Sequence, residues 1–169
     1  MSRKVLILDT SVLCCWLRVP GKEDAGPVNN RWDHARIERL LNEERKLGST
    51  FVLPMATLIE TGNHIAQAPA HRFDRATALA AHLRDAADAN TPWAAFTEQS
   101  PLWDAENLSV LADSWPTLAV GGTSIGDATI KGVAEYYAKA GYFVEILTGD
   151  LGLKAYEPVK PVLIPRRRQ

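Results

Sequence analysis

A chain of 169 residues with 46% hydrophobic content can bury one full core and is short for two, so a single domain over residues 1–165 with a short basic tail at 166–169 is expected. Its 20 acidic and 19 basic side chains leave a net charge of -1, which excludes a global field drawing in a phosphate backbone. Cys14 and Cys15 are the only cysteines, and two adjacent thiols suit neither a zinc site nor a disulfide framework, so buried reduced thiols are expected.

The basic start and the short apolar run after it meet Asp9 early and lack a small-residue cleavage site. No segment has the length to span a bilayer, so a soluble cytoplasmic protein without a membrane partner is expected. Val5-Leu6-Ile7-Leu8 is a continuous apolar run, the pattern of a strand buried on both faces of a parallel sheet, and Asp9 closes it. Pro20 to Asn30, rich in Pro, Gly and Asn, reads as a mobile loop before a helix over Arg31 to Lys46 that Gly48 ends.

A second strand, Thr50-Phe51-Val52-Leu53, leads through Pro54 into the helix that carries Glu60. There Met55, Leu58, Ile59, Gly62 and Ala66 form an apolar stripe, beside a polar strip of Glu60, Asn63, His64 and Gln67. Phe73 to Ala87 repeats at helical spacing with Pro92 as its stop, and Trp93 to Phe96 reads as a short strand. Leu102 to Ala112 is a helix candidate, whereas Trp115-Pro116 and Gly121-Gly122 look like turns. Ser124 and Asp127 open a helix that ends at Gly141. The strand Phe143–Leu147 runs into Thr148-Gly149-Asp150, and Val162-Leu163-Ile164 reads as a terminal strand before Arg166-Arg167-Arg168.

Strands alternating with helices predict an α/β fold, a three-layer α/β/α sandwich around a mostly parallel sheet. Sites on such sheets form at the carboxyl ends of strands, where Asp9 and Asp150 both stand. Each acidic residue has an ordinary reading. Asp9 and Asp150 could be turn residues, Glu60 a solvated helix residue, and Asp127 part of a capping box with Ser124. Together they suggest more, because carboxylates are hard oxygen ligands suited to Mg²⁺ or Mn²⁺. Several at one edge could set metal ions about 3.5–4 Å apart against a phosphate.

In Ile7-Leu8-Asp9-Thr10-Ser11-Val12-Leu13 the chain resembles the opening strand of PIN-domain nucleases. The Glu60 helix, Gly126-Asp127-Ala128-Thr129-Ile130 and Leu147-Thr148-Gly149-Asp150 resemble that family's later acidic motifs, in the same order and over nearly the whole chain. The resemblance, closest in kind to VapC-like ribonucleases, implies a metal-dependent endoribonuclease. Asp9, Glu60, Asp127 and Asp150 would be its catalytic and metal-binding residues, with Asp9 central, and Mg²⁺ or Mn²⁺ its cofactor. Ser11, Thr148 and Asn63 would support the ligands. The implied partners are an RNA substrate, an antitoxin or other inhibitor protein, and a second copy in a homodimer.

The chain is longer than the compact toxins, with the segment from Gln67 to Val120 unplaced, so a stand-alone or defence nuclease is an alternative to a toxin of a toxin-antitoxin pair. A DNA-directed or structure-specific nuclease and an inactive PIN-like binding module stay open, since carboxylates read phosphates and not sugars. An aspartyl phosphatase is disfavoured, because Ser11 stands where that chemistry expects a second Asp.

Overall fold

The structure, a computed structural model, describes residues 3–159. The chain begins with β1 (Lys4–Leu8) and α1 (Thr10–Trp16), followed by β2 (Asp24–Ala25), a 3-10 turn at Val28–Asn30, β3 (Trp32–Asp33) and α2 (His34–Lys46). Next come β4 (Thr50–Val52), α3 (Met55–Gln67), α4 (Arg72–Ala87), a 3-10 stretch at Phe96–Trp103 and α5 (Ala105–Val120). The last elements are α6 (Ile125–Lys139), β5 (Phe143–Leu147) and α7 (Leu151–Lys154).

The fold is α/β. β1 lies between β4 and β5 in a three-stranded, all-parallel sheet, with Leu6 opposite Phe51 and Leu8 opposite Leu147. Alternate residues serve two cores, as the pleat requires. Leu6, Leu8, Phe51 and Leu147 join Val12, Leu13, Ile37, Leu41, Ile65 and Leu79 on one face. Val5, Ile7, Val52, Val144 and Ile146 join Ile130, Val133, Tyr137 and Leu153 on the other. Helices therefore cover both faces, which explains why the central strand reads as an unbroken apolar run from Val5 to Leu8. No helix among the described residues is long and apolar enough to cross a membrane. Cys14 and Cys15 are buried and unpaired.

Several expectations need correction. The Pro20–Asn30 stretch is structured: β2 pairs antiparallel with β3, Asp24 opposite Asp33 and Ala25 opposite Trp32. The hairpin also packs tightly against the turn after β5. A Cβ added to Gly149 would stand 2.7 Å from the Gly26 nitrogen and 2.9 Å from Ala25 Cβ. The next helix starts at His34, not Arg31, because Asp33 caps it by accepting from the Arg36 N–H at 2.8 Å.

On α3 the buried face is Thr57, Thr61 and Ile65, while Ile59 is exposed. The expected apolar stripe is thus rotated, because the Thr57 hydroxyl is satisfied inside the core by donating to the Leu8 carbonyl at 2.8 Å. α4 ends at Ala87, ahead of Pro92, where the chain turns through Ala89 at φ 53°. Trp93 makes a single bridge to Phe51, and Phe96 already begins the 3-10 stretch, so no strand forms there. α5 continues through Pro116 to Val120. It tolerates the proline because Ala112, whose carbonyl loses its usual donor, is solvent-exposed. Val162-Leu163-Ile164 and Arg166-Arg167-Arg168 lie outside the described residues.

Candidate active site

The parallel strands β1, β4 and β5 release the chain at one edge of the sheet, and each leads directly into a helix there. A cleft of about 480 Å³ opens at that edge, lined by Asp9, Glu60, Asp127 and Asp150 together with Thr10, Ser11, Cys14, Lys22, Asp24, Ala25, His64 and Ser124. Each of the four acidic residues arrives from a different part of the chain.

Asp9 follows β1, is 5% exposed, and continues the strand pairing through its N–H to the Leu147 carbonyl at 3.1 Å. Its Oδ2 accepts from the Ser11 hydroxyl at 2.7 Å, the Thr148 hydroxyl at 2.7 Å and the Ser11 N–H at 3.3 Å. The Ser11 oxygen in turn accepts from the Gly149 N–H at 3.0 Å, so one hydroxyl ties the start of α1 to the turn after β5. Asp9 Oδ1 accepts no hydrogen bond among the described residues.

Glu60 sits in the second turn of α3, and its Oε2 accepts from the Thr10 hydroxyl at 2.9 Å. Its other oxygen lies where a side chain on residue 126 would be, since a Cβ on Gly126 would stand 2.3 Å from Oε1. Gly126 therefore leaves a cradle beside α6 for the Glu60 carboxylate.

Asp127 is in the first turn of α6 and half-buried. Ser124 caps that helix by accepting from the Asp127 N–H at 3.0 Å. Among the described residues no bond returns from the Ser124 N–H to the Asp127 carboxylate, so the capping is done by the serine and the carboxylate faces the cleft. Burial, chiefly, and then the charges of Asp9, Asp150 and Glu60 raise its affinity for a proton above that of an ordinary Asp, against an opposing hydrogen bond with Ser124. Asp150 is exposed and caps the short α7 by accepting from the Leu153 N–H at 2.9 Å, while its own N–H donates to the Thr148 hydroxyl at 2.9 Å. That cap accounts for its position without any ligand. Asn63 is exposed and does not line the cleft; His64 beside it does.

Reading the residues alone missed several that shape this edge. Thr57 and Thr10 hold α3 and Glu60 against β1, and the four-residue spacing of Thr57, Thr61 and Ile65 was the available sign of that face. Gly126 could have been suspected as a glycine inside a helix. The Cys14 thiol lines the cleft floor, but burial, with smaller contributions from Asp9 and Glu60, pushes it up to about 11, which makes it a poor nucleophile.

Among the described residues no three His, Cys, Asp or Glu side chains are gathered closely enough to hold a metal ion as they stand. Carboxylates without a cation repel one another, and at Asp127 that repulsion adds to the larger effect of burial. The donor set is chemically suited to a hard divalent cation: an all-oxygen group with the free Oδ1 of Asp9 and the cradled Oε1 of Glu60. No protein family, curated protein or solved structure matches the chain.

Proposed function

We propose that this chain is a PIN-like, metal-dependent endoribonuclease whose Asp9, Glu60, Asp127 and Asp150 hold Mg²⁺ or Mn²⁺ and whose substrate is an RNA phosphodiester. The observation that carries the reading is that four acidic residues distant in sequence line one cleft at the carboxyl edge of a parallel sheet. When bound there, a divalent cation supplies Lewis acidity toward water and the phosphate oxygens.

The chain's own groups prepare for that chemistry. Ser11 and Thr148 occupy Oδ2 of Asp9 and leave Oδ1 free of hydrogen bonds among the described residues. Thr10 on one side and the Gly126 cradle on the other fix the Glu60 carboxylate. At Asp127, where burial and the neighbouring carboxylates disfavour the charged form, a cation would offset the neighbours' part of that effect.

The test is digestion of total RNA by the wild type and by Asp9→Asn, with Mn²⁺ or Mg²⁺ and with chelator, beside the same digestion of DNA. The wild type should cut RNA only with metal, and Asp9→Asn should lose most of that activity. An Asp9→Asn variant as fast as wild type would overturn the site, and cleavage of DNA alone would overturn the RNA assignment.

A further inference from the structure

The cleft contains one cation that none of this chemistry uses. Lys22 lines it together with five carboxylates, those of Asp9, Asp24, Glu60, Asp127 and Asp150. Among the described residues its ammonium makes neither an ion pair nor a side-chain hydrogen bond, although acceptors surround it. It lies near enough to the cleft floor to favour the ionised form of the Cys14 thiol. Asp24 is already matched, since Arg31 pairs with it at 2.8 Å.

The backbone fixes where Lys22 stands. Val19-Pro20-Gly21-Lys22 has the pattern of a type II turn: Pro at the second position, Gly21 at φ 82°, and the Lys22 N–H donating to the Val19 carbonyl at 2.9 Å. The hairpin that follows is locked to the turn after β5 by the close approach of Gly26 to Gly149. An exposed lysine on an anchored loop, facing carboxylates without pairing with any, is placed for an anion that comes from outside.

We infer that Lys22 binds the substrate's phosphate backbone, contacting a phosphodiester oxygen as the RNA enters the cleft. The inference rests on the nuclease reading above. The cations held by the carboxylates would offset the carboxylates' own charge, and the phosphate's charge then meets Lys22. Lysine suits this role as a mobile point charge that reads no base.

The experiment is RNA cleavage by wild type, Lys22→Ala and Lys22→Arg over a range of RNA and salt concentrations, with binding of a fluorescent single-stranded RNA to Asp9→Asn and to Asp9→Asn/Lys22→Ala as a readout free of turnover. Lys22→Ala should raise KM about tenfold while leaving kcat within about twofold, and lower the slope of log affinity against log salt by about one. Lys22→Arg should restore KM, and the double variant should bind RNA about tenfold more weakly than its parent. A wild type that cuts RNA while Lys22→Ala matches it in KM and salt slope overturns the inference and leaves the nuclease reading standing. A wild type that cuts no RNA overturns both.

Discussion

The two walls of the cleft hold their carboxylates by opposite means. On the Asp9 wall a buried side chain is fixed by added groups, two hydroxyls and a backbone N–H converging on one oxygen. On the Glu60 wall the carboxylate is fixed largely by an omission, the missing side chain of Gly126, with a single hydroxyl from Thr10. Removing a partner on the first wall takes a donor from a buried carboxylate, whereas filling the space on the second only displaces a flexible side chain. Stability and site geometry should therefore be coupled on one wall and separable on the other.

The largest effect is expected from Ser11→Ala. It strips a donor from a nearly inaccessible carboxylate and an acceptor from the Gly149 N–H, so urea denaturation should show a loss of about 1–3 kcal/mol. Mn²⁺ affinity, read by titration calorimetry, should weaken by about 10–100-fold in parallel. Unchanged stability in this variant would break the comparison at its first half.

Gly126→Ala tests the second half. Alanine favours the helix by up to about 1 kcal/mol over glycine, and the atom it would displace is the end of a flexible side chain. Thermal stability should be equal to or above wild type, while Mn²⁺ affinity falls about tenfold as Glu60 is pushed aside. A destabilised Gly126→Ala with normal metal binding would show that the cradle does not position Glu60.

A smaller effect is expected at the far end of α1, the helix that follows Asp9. α1 ends at Trp16, whose ring stacks on His82 at 4.4 Å and 19°, with Trp93 5.4 Å from the same imidazole. Burial, first, and Arg45 hold the His82 imidazole below its ordinary proton affinity, against the opposing charges of Asp85 and Glu38. A lowered folded value means that the unfolded chain takes up the proton first. His82 therefore contributes nothing to the pH dependence well above the ordinary His range, and stability falls as the pH drops from that range toward the folded value. Melting curves between about pH 7.5 and 5 should show this decline in wild type, and His82→Phe should flatten it.

How much of this was legible in the sequence depended on whether an element faces one partner or many. The sheet strands and α6 were readable because each carries a simple pattern, a short run dominated by apolar residues or a Ser124 cap followed by helical spacing. α1 was not, since Thr10, Val12, Leu13, Cys14 and Cys15 are all buried and leave no polar face to reveal a period. The β2–β3 hairpin was hidden for another reason: its Pro, Gly and Asn content is that of a loop, and its packing partners are α1 and Gly149, the latter far along the chain. At the site, the acidic residues could be picked out singly. The supports from Thr57, Gly126 and Lys22 exist only once separate elements meet.

The Thr148 hydroxyl that holds Asp9 lies 139 residues further along the chain. During synthesis, β1, α1 and α3 leave the ribosome long before β5 exists to pair with β1 and bring that hydroxyl. Asp9 then lacks one of its fixing groups, and Asp150 is absent altogether. The cleft is a late product of translation, so a nascent chain carries no finished acidic site until its last strand has emerged and paired.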